Sequence, residues 1–176
     1  MSRLLHLNGP PGIGKSTLAR RYADDHPGTL VCDVDVLRTL IGGWRDDFAR
    51  AGSLIRPAAL ALIEAYLREG HDVVLPQLLV RPAERDRFEA AATRAGAAYV
   101  ERVLLDTAEA TVARFHQRSG ADPWHHQVRA IVAEQGGDDV LRDYDRRLRE
   151  LGGTVVASVA GDPEATYAAL LASLEG

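Results

Sequence analysis

Residues 9 to 17 read Gly-Pro-Pro-Gly-Ile-Gly-Lys-Ser-Thr, between the apolar run Leu4-Leu5-His6-Leu7 and the helix-forming segment Leu18 to Ala23. Glycines at 9, 12 and 14 let the backbone turn tightly and bring its N–H groups close to an anion, and a helix that starts at their end points its positive terminus at the same place. Lys15 is placed to reach the β- and γ-phosphates of a nucleotide, and Ser16 to ligate Mg²⁺. The cradle formed by Gly9, Gly12, Ile13, Gly14, Lys15, Ser16 and Thr17 is therefore read as a binding loop for Mg²⁺-ATP.

A second set of chemically capable residues follows the next apolar run: Cys32-Asp33-Val34-Asp35-Val36-Leu37-Arg38. The end of a parallel strand delivers its loop to the ligand crevice, so both carboxylates fall where phosphoryl chemistry would take place. An aspartate beside a γ-phosphate can orient an acceptor hydroxyl and accept its proton. Strand alternation predicts that Asp33 and Asp35 start on one face, one serving the acceptor hydroxyl and the other the water shell of the metal. The competing reading is a solvated strand end at which Asp35 caps the next helix.

The elements that must position these groups are legible as five short apolar runs, Leu4 to Leu7, Thr29 to Val34, Asp72 to Leu75, Tyr99 to Leu105 and Thr154 to Val159, alternating with helical patterns. That alternation predicts an α/β fold with a mostly parallel sheet covered by helices on both faces. A helix is expected from about Arg56 to Glu69, with Pro57 in its first turn and Gly70 as its stop. Asp106-Thr107-Ala108-Glu109 reads as a capping box opening a helix through Arg118, and Gly120 and Pro123 break the pattern over Ser119 to His126. Further helices are expected over Asp138 to Leu151 and from Asp162-Pro163 to about Leu174.

With 176 residues, 46% apolar and 26% charged, the chain is read as one ordinary globular domain over 1–176. No charged leader or apolar membrane span is evident, which makes the cytoplasm the expected compartment. A net charge of −4 disfavours a broad grip on nucleic acid and favours a small-molecule partner. The single cysteine, Cys32, lies in an apolar run and reads as a small buried hydrophobe. Adjacent His125 and His126 point to different faces of any regular element and make a poor metal pair.

A G-x-P-G-x-G-K-S-T loop followed some twenty residues later by Asp35-Val36-Leu37-Arg38 resembles the small-molecule and polynucleotide kinase branch of P-loop proteins, which includes chloramphenicol phosphotransferase, the zeta toxin kinases and the polynucleotide 5′-kinases. The resemblance implies a three-layer sandwich with a five-stranded parallel sheet in the order 2-3-1-4-5. It also implies Asp35 as general base and Arg38 as the contact to the acceptor. A helical lid over about 107–127 would carry Arg114 and Arg118 onto the transferring phosphoryl group; a solvated arginine-rich helix face is the alternative for these two. Kinases of this group often have an acidic residue at the end of the third strand, where this chain has Pro76-Gln77. The metal would then rest on Ser16, water and Asp33, and Gln77 would hydrogen-bond an acceptor or a water, or be a plain loop residue.

The expected activity is ATP-dependent transfer of a phosphoryl group to a hydroxyl of a small metabolite or antibiotic-like molecule. A nucleic-acid or nucleotide kinase and a nucleotide-binding switch without an acceptor are the alternatives. Trp44, Arg45, Phe48 and Arg50 fall where an acceptor pocket would be roofed, with packing of Trp44 and Phe48 into the core as the other reading.

Overall fold

The computed structural model describes residues 1–117 and 123–175. In chain order these form β1 (Arg3–Asn8), α1 (Lys15–Asp25), β2 (Leu30–Val31), α2 (Val34–Arg38), α3 (Phe48–Arg68), β3 (Val73–Pro76), α4 (Pro82–Arg94), β4 (Ala98–Leu105), α5 (Ala108–Gln117), α6 (Pro123–Glu134), α7 (Asp138–Leu151), β5 (Thr154–Ala157) and α8 (Pro163–Leu174). The strands make one parallel sheet in the order β2-β3-β1-β4-β5, the order expected. No described helix is long and apolar enough to cross a membrane. Two compact units alternate along the chain, one built from Met1–Asn8 and Ser16–Glu101, the other from Gly9–Lys15 and the chain from Arg102 onward.

In the first unit β3 is central to the pairing, with Leu4 opposite Val73 and Leu7 opposite Pro76 on one side and Leu30 opposite Val73 on the other. Strands covered on both faces are continuously apolar rather than alternating, and all four residues of β3 are buried. Leu4, Val73 and Leu75 pack with Cys32, Val34, Phe88, Ala92 and the stripe Ile55, Ala59, Ile63 and Leu67 of α3. Cys32 is part of this core, and burial pushes its thiol pKa up to about 12, as befits a packing residue. In the second unit β4 pairs with β5 from Arg102 opposite Thr154 to Leu105 opposite Ala157. There Phe115, Val132 and Leu141 join α5, α6 and α7 in a smaller apolar cluster.

Three local expectations are corrected. Helix α3 begins eight residues before Arg56, at Phe48, because the Asp47 side chain accepts from the Arg50 N–H and caps it; Pro57 therefore lies inside the helix. An interior proline costs about 3 kcal/mol, a cost set here against a full apolar stripe. The box at 106–109 divides its labour: Thr107 Oγ1 accepts from the Ala110 N–H and caps α5, while Asp106 faces Arg114. Of the stretch Ser119 to His126 expected to break the pattern, Pro123 to His126 are helical, Pro123 sitting at the start of α6, where its missing N–H is harmless, and 119–122 lie outside the described residues. The Asp162 cap of α8 is as expected, accepting from the Ala165 N–H at 2.8 Å.

Candidate active site

The glycine loop from Gly9 to Lys15 belongs to the second unit. Pro10 and Pro11 carry no N–H and so offer an anion no donor. Gly9, at φ 154°, lies so close to β4 that a Cβ there would stand 2.8 Å from the Leu104 carbonyl oxygen, and Gly14, at φ 103°, takes a left-handed conformation that side chains resist. Lys15 Nζ donates to the carbonyls of Gly9 at 2.7 Å and Pro10 at 2.9 Å, which holds its ammonium over the loop. On the loop's other side the Ile13 carbonyl accepts from Ser158 Oγ at 3.4 Å.

Arg114 takes its place in the same unit on different partners from those expected of a lid arginine. It donates to Ser158 Oγ at 2.8 Å and to the Ser158 carbonyl at 3.2 Å, and pairs with Asp106 at 2.8 Å. Arg118 and the Gly120-Ala121-Asp122 stretch of the expected lid lie outside the described residues.

In the first unit the acidic pair departs from the strand geometry expected of it. Strand β2 ends at Val31, and Asp33 is the N-cap of α2, its Oδ1 accepting from the backbone of Asp35 and Val36. Asp35 is thus a first-turn helix residue rather than the cap, and the two carboxylates do not share a strand face. The helix opens this early because an aspartate is a favoured cap and its charge suits the helix N-terminus. The other oxygen of Asp33 accepts from Ser16 Oγ at 2.8 Å, bringing together the two residues expected at the metal.

Around Asp35 the structure assembles Gln77, whose Nε2 lies 3.5 Å from Asp35 Oδ1, and Arg38, whose Nη2 lies 3.9 Å from the same oxygen. Arg38 is buried, its guanidinium stacked 4.0 Å over the Phe48 ring. Burial lowers its pKa, the Asp35 charge working the other way, yet a guanidinium remains cationic at any physiological pH. Helix α3 admits it at Gly52, where a Cβ would stand 2.9 Å from Arg38 Nη2. Trp44 is buried and carries the Arg45 guanidinium 5.1 Å over its ring.

Gln77 itself is held from behind by side chains of β1. His6, fully buried, places Nε2 2.8 Å from the Gln77 carbonyl, so that nitrogen carries the hydrogen. Its Nδ1 faces Tyr99 Oη at 2.8 Å and Glu101 at 3.2 Å. Asn8 donates to the Leu79 carbonyl and to Glu101 and accepts from the Leu79 N–H. Burial opposes the charge of Glu101, but hydrogen bonds from His6 and Asn8 and the nearby Arg85 hold its carboxyl below the usual range. Burial, reinforced by Glu101, drives the Tyr99 phenol well above its ordinary value. This network escaped the sequence reading, although a histidine and an asparagine in an otherwise apolar strand were the available signal.

The strand order and the glycine loop running into α1 define a P-loop protein with structural neighbours of the kinase type. The chain belongs to the AAA domain family, whose pattern it matches over residues 4–147. Among solved structures it is similar to the tunicamycin resistance protein of Deinococcus radiodurans, at 18% identity and a TM-score of 0.65 over 99% of this chain and 95% of that one. The shikimate kinase of Bacteroides thetaiotaomicron matches at 19% identity and a TM-score of 0.61, over 99% of each chain. A gluconokinase from Sinorhizobium meliloti matches at 18% identity and a TM-score of 0.59, over 97% of this chain and 93% of that one. At such identities the likeness is one of fold. No curated protein matches the sequence.

Proposed function

We propose that this protein is an ATP-dependent phosphotransferase acting on a hydroxyl of a small molecule. The observation that carries the reading is the start of α2: Asp33 engages the Ser16 hydroxyl at 2.8 Å, and two residues later a second carboxylate, Asp35, stands between Gln77 and the buried Arg38. A nucleotide switch needs the first carboxylate; the second suits an acceptor. The neighbours described as shikimate kinase and gluconokinase support a small acceptor, and the acidic net charge of −4 is a poor match to a polynucleotide.

The residues fit the groups the reading requires. Mg²⁺-ATP would be held by Gly9, Gly12, Ile13, Gly14, Lys15, Ser16 and Thr17, with the Ser16 hydroxyl able to turn a lone pair to the metal while its O–H still donates to Asp33. Bound there, Mg²⁺ would neutralise charge on the phosphates. Asp35 would orient the acceptor hydroxyl and take its proton as the oxygen bonds to the γ-phosphorus and ADP leaves; Arg38 would position the acceptor. Arg118 would close over the phosphates from the lid. We place the reaction in the cytoplasm.

The test is acceptor-dependent ADP release from Mg²⁺-ATP across nucleosides, sugars, hydroxylated antibiotics and 5′-hydroxyl oligonucleotides, with Lys15→Ala as the blank. A hit abolished in the blank identifies the acceptor class. Slow hydrolysis indifferent to every acceptor would instead favour a switch.

Gly52→Ala separates acceptor binding from nucleotide binding. Alanine is favoured over glycine in a helix by about 1 kcal/mol, but here its methyl would displace Arg38 from the Phe48 ring. Steady-state kinetics should give a severalfold higher acceptor KM with an unchanged KM for ATP. An unchanged acceptor KM would remove Arg38 from the acceptor site.

A further inference from the structure

We infer that Asp106, Arg114 and Ser158 are positioning residues for the phosphate-binding loop, aiming the Gly14 N–H at the anion through the Ile13 carbonyl. The inference rests on the proposed nucleotide site and adds a set of residues that touch no ligand themselves.

The argument begins with donor and acceptor capacity. A guanidinium only donates, so the 2.8 Å bond from Arg114 to Ser158 Oγ makes that hydroxyl an acceptor and leaves its one proton for another oxygen. The Ile13 carbonyl, 3.4 Å away, receives it. Ser158 is buried and its backbone is fixed twice, its N–H on the Leu105 carbonyl at 2.8 Å and its carbonyl on Arg114 at 3.2 Å. Arg114 is fixed in turn by Asp106 at 2.8 Å, and Asp106 Oδ1 accepts from the Thr107 N–H at 2.7 Å. The ends of β4 and β5 and the middle of α5 thus converge on a single loop carbonyl.

A trans peptide sets its C=O and N–H in opposite directions. Holding the Ile13 carbonyl against Ser158 therefore turns the Gly14 N–H, in the same peptide plane, to the side away from Ser158. Gly14 has φ 103° and nothing within 4 Å of where a Cβ would stand, so packing beside its α-carbon adds nothing to that hold. With Pro10 and Pro11 unable to donate, each remaining N–H of the cradle counts for more. The three side chains supply from outside the rigidity that the glycines lack.

The experiment compares wild type with Ser158→Ala and Arg114→Lys in the full chain. Equilibrium binding of Mg²⁺-ADP should weaken about fivefold in Ser158→Ala, the range for losing one hydrogen bond. It should weaken less in Arg114→Lys, which keeps a cation for Asp106 but cannot span both oxygens of Ser158. The Gly14 amide, followed by ¹⁵N NMR without nucleotide, should shift and exchange its hydrogen faster in Ser158→Ala than in wild type. An unchanged Gly14 amide would overturn the inference, whatever happens to the melting temperature, because a purely structural role predicts a lower Tm alone. If wild type binds no nucleotide, the phosphate-loop reading fails while the amide measurement still decides this one. If Arg114→Lys lowers kcat while Ser158→Ala is silent in both readouts, Arg114 acts on the phosphates directly and the inference is wrong.

Discussion

Asp35→Asn is expected to bind Mg²⁺-ATP as wild type does and to transfer phosphoryl groups roughly 10² to 10⁴ times more slowly, the scale of losing a general base. The substitution keeps the shape and leaves an amide oxygen to face Gln77 and Arg38, at 3.5 and 3.9 Å in the native pair. The cap of α2 is also untouched, because Asp33 provides it. The one property removed is the capacity to take a proton. Rapid-quench single turnovers beside equilibrium ATP binding separate the two effects. Transfer at the wild-type rate would reduce Asp35 to a positioning group.

Lys15→Ala should be as severe on the nucleotide side. Removing a cation aimed at developing phosphate charge typically lowers the rate by about 10² to 10³, and ATP affinity should fall with it. The structure adds a second effect: the Gly9 and Pro10 carbonyls lose the ammonium that bonds both at 2.7 and 2.9 Å. Thermal unfolding should therefore show a lower Tm in the absence of nucleotide, an effect separate from the binding role proposed for the residue. Calorimetry on the nucleotide-free protein checks this. An unchanged Tm would mean that the two bonds exchange with water at no net cost.

What could be read from the sequence was what local chemistry dictates. The glycine loop, the five apolar runs and the caps at Asp162 and Gly152 are each set by residues within a few positions of one another, and the strand order followed from the resemblance those motifs carry. The errors came where two local rules competed. Asp33 and Asp35 both fit a helix cap, and the cap is Asp33, whose second oxygen also accepts from Ser16, seventeen positions away. Pro57 is a legitimate helix-start signal, overridden by an apolar stripe beginning a turn and more earlier. The partners of Arg114 were out of reach for a different reason: Ser158 is 44 residues distant and has no sequence signature of its own.

The bonds that His6 and Asn8 make beyond the end of β3 separate the path of the chain from the identity of its side chains. Pro76 is the last residue of β3 in register with β1, yet the Gln77 carbonyl and both backbone groups of Leu79 are still held, by side chains of β1. The main chain from 77 to 79 is thereby tethered from another strand by bonds that do not involve the side chains at 77 and 78. Substitutions at those two positions would leave these bonds to the main chain in place, so side chains facing the proposed acceptor could change without the turn first having to be rebuilt.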